Sequence, residues 1–98
     1  MEITSVNHIC FSVSDLNTSI QFYKDILQGD LLVSGRTTAY LTIGHTWIAL
    51  NQEKNIPRNE ISHSYTHVAF SIDEEDFQKW IQWPVSYTHL TLPTIYSV

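Results

Sequence analysis

The segment Asn7-His8-Ile9-Cys10-Phe11-Ser12-Val13 returns later in the chain as Thr66-His67-Val68-Ala69-Phe70-Ser71-Ile72. Each copy runs into an acidic, helix-starting stretch: Ser14-Asp15-Leu16 after the first and Asp73-Glu74-Glu75 after the second. A strand followed by a helix, repeated with a histidine at the same place, constrains the fold more than any bulk property. The separation is longer than a solenoid period, so the pattern describes duplication of a whole small module. Two such modules can each supply one imidazole to a shared site.

The first copy can be followed element by element. Val6 to Val13 is rich in β-branched and aromatic residues and reads as a strand. Alternation places Val6, His8, Cys10 and Ser12 on one face and Asn7, Ile9, Phe11 and Val13 on the other, which packs against apolar neighbours. Ser14 or Asp15 can cap a helix whose inner face carries Leu16, Ile20, Tyr23 and Leu27, with Gly29 as its left-handed stop. Leu31-Leu32-Val33 reads as a strand and Gly35-Arg36 as a turn. Ala39 to Ile43 and Thr46 to Leu50 read as a hairpin around Gly44-His45. Residues 1–50 thus form a β-α-β-β-β module.

Residues 51–63 are polar, contain Pro57 and read as a linker. Ser64 to Ile72 reads as the first strand of the second module. Glu74 to Trp83 reads as its helix, with Phe77, Trp80 and Ile81 at i, i+3 and i+4 and acidic residues at its start that suit the helix dipole. Pro84 ends that helix. A complete second module needs three more strands, roughly another 30 residues. The chain instead continues Val85-Ser86-Tyr87-Thr88-His89-Leu90-Thr91-Leu92-Pro93-Thr94, which resembles the in-frame translation of a transposase sequencing adapter. The natural sequence is therefore expected to end near Trp83, with residues 84–98 a non-native tail. On that reading the match of Ser86-Tyr87-Thr88-His89 to Ser64-Tyr65-Thr66-His67 is coincidence, and His89 has no role. The fold class is α+β, with paired β-α-β-β-β modules of which residues 64–83 supply only the start of the second.

Composition removes several function classes. The formal net charge is −5 and the five Lys and Arg are scattered, which argues against nucleic acid as partner. No run of 18 apolar residues offers a membrane span, and the start Met1-Glu2-Ile3-Thr4 is unlike a signal peptide. A single cysteine makes no internal disulfide, so the cytoplasm is the default compartment.

His8 and His67 are the main candidates for chemistry. Taken singly, each reads as an ordinary strand histidine. Taken as a matched pair, they can converge on one divalent metal, since imidazole is its commonest nitrogen ligand. Two histidines and a carboxylate with open positions make a catalytic metal site. No carboxylate here is identifiable as the third ligand; Asp73, Glu74 and Glu75 are better explained as capping. His45 and His63 read as solvent-exposed, and Arg58 as a linker residue without chemistry.

Several motifs together carry a resemblance. They are Asn7 to Val13, Ser19-Ile20-Gln21-Phe22-Tyr23, Trp47-Ile48-Ala49-Leu50-Asn51, Ile56-Pro57-Arg58-Asn59-Glu60-Ile61 and Ser64 to Phe70. Over about residues 3 to 82 the chain resembles the vicinal oxygen chelate (glyoxalase–bleomycin resistance) superfamily. Within it, the chain looks most like the FosB-type fosfomycin-resistance metallothiol transferases. The resemblance implies paired modules and a homodimer in which modules of two chains exchange. His8 of one chain and His67 of the other would hold one divalent cation, Mg²⁺ or Mn²⁺, with a glutamate from a later strand that is absent here. It implies Tyr40 and Trp47 as substrate-pocket residues and Cys10 beside the site of the thiol co-substrate, bacillithiol or cysteine. The small-molecule antibiotic fosfomycin would be inactivated by thiol opening of its epoxide, although residues 1–98 alone would be inactive. Alternatives on the same scaffold are a glyoxalase, a dioxygenase, or a metal-free antibiotic-binding module in which both histidines are incidental. Cys10 could also be a small buried filler, and Tyr40 and Trp47 core aromatics.

Overall fold

The computed structural model describes residues 1–58 and 67–83. Four strands form one sheet: β1 (His8–Val13), β2 (Asp30–Ser34), β3 (Thr38–Ile43) and β4 (Thr46–Gln52). Their spatial order is β1-β4-β3-β2. β1 and β4 run parallel, with His8 opposite Trp47, Cys10 opposite Ala49 and Ser12 opposite Asn51. The other two ladders are antiparallel. This is the β-α-β-β-β module read from the sequence, with β4 continuing two residues beyond Leu50.

Parallel pairing of β1 with β4 requires the chain between them to cross one face of the sheet. Helix α1 (Leu16–Gln21), continued by a π-helical turn over Phe22–Ile26, makes that crossing. Asp15 is the N-cap, and its side chain accepts from the Thr18 N–H at 3.0 Å. A second free donor of the first turn, the Leu16 N–H, is satisfied from across the fold by Gln52 Oε1 at 2.8 Å. The π turn is marked by the Leu27 N–H donating to Phe22 O at 3.1 Å, five residues back.

Val13, Leu16, Tyr23, Ala39, Leu41, Ile48 and Leu50 form the core between α1 and the sheet. Burying each large side chain among them stabilises the fold by roughly 1.5–3 kcal/mol. Tyr23 stacks on Phe11 of β1 at 6.1 Å between ring centroids. Leu16 and Tyr23 are buried as the helical spacing predicts, while Ile20 and Leu27 are half-buried and Ser19 and Ile26 take the inner positions instead.

The helix stop differs from the sequence expectation. Gln28, at φ 60°, occupies the left-handed position, and Gly29 does not. Glycine is required at 29 for space: a Cβ there would lie 3.0 Å from Tyr23 O, 3.1 Å from Thr42 O and 3.1 Å from Ile43 Cγ1. The β3–β4 hairpin is as expected, with Gly44 at φ 57° as the first of two loop residues, the position that a type II′ turn gives to glycine.

The expected strand over Ser64 to Ile72 is corrected in part. Ser64 to Thr66 lie outside the described residues, and residues 67–73 carry no regular secondary structure. A strand exists only by pairing, and none of the sheet's ladders includes these residues. The segment leaves Val68, Phe70 and Ile72 about two-fifths exposed. A 3-10 turn (Glu74–Asp76) then leads into α2 (Phe77–Gln82). The acidic residues at its start make no side-chain capping bond. Phe77 and Ile81 are both 52% exposed, because the described residues offer them no sheet to cover; Trp80 is half-buried. Among the described residues, one contact from this segment to the first module is made by Trp83, whose Nε1–H donates to Ile26 O at 2.7 Å.

Candidate active site

Among the described residues, one face of the sheet lies under α1 and no other element covers the opposite face, the open face. Strand alternation assigns the open face its residues: His8, Cys10 and Ser12 from β1, Trp47, Ala49 and Asn51 from β4, and Thr38, Tyr40 and Thr42 from β3. These fall into cross-strand rows. His8, Trp47 and Thr42 form one, Cys10, Ala49 and Tyr40 the next, and Ser12, Asn51 and Thr38 the last. Four of the five site residues read from the sequence therefore share one surface.

Their exposure sets them apart from the core. Cys10 is exposed, so it is not a buried filler. Tyr40 is 39% and Trp47 48% exposed, so neither is a core aromatic. Aromatic side chains beside a histidine and a thiol are of the types that line small-molecule pockets. His45 is exposed in the hairpin, as expected, and His63 and His89 lie outside the described residues.

His8 is held in a way that suits metal ligation. Its Nδ1 lies 2.8 Å from Asn7 Oδ1. In the tautomer that donates this bond, Nε2 keeps the lone pair a metal would take, and the amide fixes the ring. His67 is exposed, in the irregular segment ahead of α2. Among the described residues no group of three His, Cys, Asp or Glu side chains gathers as a metal set. The donor types fit a divalent metal, and the complete set is not assembled by these residues of one chain.

The residue that sequence reasoning missed is Arg58. Its Nη1 donates to Ser12 O at 3.1 Å, and its Nη2 donates to Ser12 Oγ at 3.0 Å and to Glu53 O at 2.8 Å. It pins the segment after β4 onto the end of β1, at the edge of the open face. The signal available was its place behind Pro57 in a polar stretch, which marks a linker and not a contact 46 residues away in sequence.

The β-α-β-β-β module has clear counterparts. Residues 5–86 match the model of the Glyoxalase/Bleomycin resistance protein/Dioxygenase superfamily. The chain belongs to this superfamily. A Staphylococcus epidermidis protein named metallothiol transferase FosB is 96% identical over 83 residues, covering 85% of this chain and 58% of that protein. A protein of the same name from Staphylococcus saprophyticus is 57% identical over 81 residues, covering 83% of this chain and 54% of its own length. The chain thus spans less than two thirds of the curated relatives it matches. Among solved structures, the fosfomycin resistance protein FosX of Listeria monocytogenes aligns with a TM-score of 0.73 at 22% identity, covering 89% of this chain and 69% of that one. FosX of Mesorhizobium loti aligns with a TM-score of 0.69 at 27% identity, covering 89% and 70%. These solved structures share the α+β fold described above. Among the described residues, no helix is long and apolar enough to cross a membrane.

Proposed function

We propose that this protein is a metal-dependent thiol transferase that inactivates fosfomycin. The observation that carries the reading is the convergence of His8, Cys10, Tyr40 and Trp47 on one open sheet face. It stands beside 96% identity over 83 residues to a protein named metallothiol transferase FosB.

His8 and His67 would hold the divalent cation, Mg²⁺ or Mn²⁺, together with a carboxylate from outside the described residues. When bound, such a cation supplies electrostatic stabilisation of the negative oxygen that forms as an epoxide opens. The protein's own residues do the rest. Asn7 keeps the His8 ring oriented. Tyr40 and Trp47 wall the substrate and displace water from it. Cys10, next along β1 on the same face, lines the place where the co-substrate thiol sits. The thiolate of bacillithiol or cysteine attacks an epoxide carbon; the C–S bond forms, the C–O bond breaks, and the oxygen then takes a proton. Holding thiol and epoxide in line is worth several orders of magnitude in rate.

The partner that completes the site is a second copy with exchanged modules. Two features support this. β1 is an edge strand of the sheet, and Val68, Phe70 and Ile72 stand exposed in the segment that repeats the β1 pattern. Residues 1–98 by themselves are proposed to be inactive, and the cytoplasm, where reduced thiols are abundant, is the proposed compartment.

The test is thiol-dependent loss of fosfomycin by the full-length protein, read with and without divalent metal. Formation of a thiol adduct only when thiol and metal are both present supports the reading. Isomerisation of a methylglyoxal–thiol adduct without fosfomycin turnover would replace it with a glyoxalase. Stoichiometric antibiotic binding without turnover or metal would replace it with a binding module.

A further inference from the structure

Arg58 is cationic and half-buried, and among the described residues it is paired with no carboxylate: the one ion pair there is Lys79 with Asp76, 3.7 Å apart on α2 and the turn before it. Its Nε is fully buried and has no hydrogen-bond partner. Holding a guanidinium in this way is costly unless its charge is used. Its three bonds all go to neutral oxygens, two of them on Ser12.

The bond to Ser12 Oγ has a directional consequence. A serine hydroxyl has one hydrogen to give and two lone pairs to accept with. Arg58 occupies a lone pair, so the hydroxyl hydrogen must point away from the guanidinium. Among the described residues it donates to nothing. Ser12 shares the open face with His8 and Cys10, two strand positions beyond Cys10, about 7 Å along β1. A hydroxyl polarised by a cation is a stronger donor than a free one.

We propose that Arg58 is a positioning residue that turns the Ser12 hydroxyl toward the open face, where it receives the carboxylate of the thiol co-substrate. The inference rests on the thiol-transferase reading and adds a contact to it: the co-substrate's sulfur lies near Cys10 and its carboxylate on Ser12.

The experiment compares binding of L-cysteine and of cysteamine, the same thiol without the carboxylate, to the full-length protein by calorimetry. The unmodified protein should prefer L-cysteine by about 10-fold, the scale of one hydrogen bond to a charged group. Ser12→Ala and Arg58→Ala should each bring the ratio close to one, and Arg58→Lys should restore part of it. Ser12→Ala keeps the Arg58 bonds to Ser12 O and Glu53 O, so it stays informative even where Arg58→Ala unfolds. A ratio near one in the unmodified protein, a ratio unmoved by Ser12→Ala, or equal weakening of both thiols would overturn the inference. Fosfomycin turnover is followed separately. Turnover with an unmoved ratio rejects this subsite alone; a carboxylate preference lost in Ser12→Ala without turnover rejects the transferase reading and keeps the subsite.

Discussion

Trp47 lies directly opposite His8 across the parallel β1–β4 ladder, and both side chains are exposed on the face turned away from α1. An indole beside an imidazole on an open sheet gives a small ligand a wall and a ligating nitrogen at once. The neighbouring β4 residues Ile48 and Leu50 point the other way and are fully buried. One strand thus serves the candidate site with alternate residues and the core with the rest.

That division predicts opposite behaviour for two substitutions on β4. Trp47→Ala should change the urea midpoint little, because 48% of the residue is already in water, while raising the KM for fosfomycin. Leu50→Ala should destabilise the fold by about 2–5 kcal/mol, as a cavity in a closed core does. Denaturation and steady-state kinetics on both variants check this; equal destabilisation by the two would place Trp47 in the core.

The turn after α1 gives a second pair. Gly29→Ala forces a Cβ against two backbone oxygens and should cost about 1–3 kcal/mol. Gln28→Gly relieves a side chain held at φ 60° and should stabilise by up to about 1 kcal/mol. Measured unfolding free energies of opposite sign would bear out the left-handed position at 28. Destabilisation by Gln28→Gly would speak against it.

Ser19 is fully buried and its hydroxyl has no hydrogen-bond partner. Ser19→Ala removes an unpaired polar atom without opening a large cavity. It should raise stability by about 1 kcal/mol, seen as a higher melting temperature. A lower one would mean that the hydroxyl is satisfied.

Two groups of the first module tie its stability to pH. Burial pushes the Tyr23 phenol from 10.0 up to about 12. The unfolded chain ionises first, so the stability tied to Tyr23 is intact below pH 10 and drains away as the pH climbs toward 12. The Asp15 carboxyl is held below its ordinary value of 3.8, mainly by the hydrogen bond from the Thr18 backbone N–H. Its contribution is present above 3.8 and is lost as the pH falls through the lowered value. Unfolding measured against pH should show the alkaline slope flattened in Tyr23→Phe and the acid slope flattened in Asp15→Asn.

Much of this was legible in the sequence, for local reasons. Alternation from His8 to Val13 fixed which side chains would face out, because a strand has a period of two whatever it packs on. The hairpin at Gly44 followed from turn chemistry. Legibility ended where structure depends on distant partners. Residues 67–72 carry the same pattern as β1, yet pattern alone makes no strand without a neighbour to bond. Gly29 was assigned to conformation when its reason is contact with Thr42 and Ile43, which the helix does not reveal. Leu16, Ser19, Tyr23 and Ile26 follow ordinary helical spacing as well as Leu16, Ile20, Tyr23 and Leu27 do, and only packing on the sheet selects the first set as the buried one. Arg58 was passed over because its three acceptors lie on Ser12 and Glu53, in segments that only the fold brings to it.

The central claim is that His8 and His67, one from each repeat, bind the same divalent cation. Titration of Mn²⁺ into the metal-free full-length protein tests it most directly, followed by electron paramagnetic resonance and compared with His8→Ala, His67→Ala and Asn7→Ala. Both histidine variants should lose tight binding, and Asn7→Ala should weaken it about 10-fold by releasing the His8 ring. Undiminished Mn²⁺ affinity in either histidine variant would contradict the account.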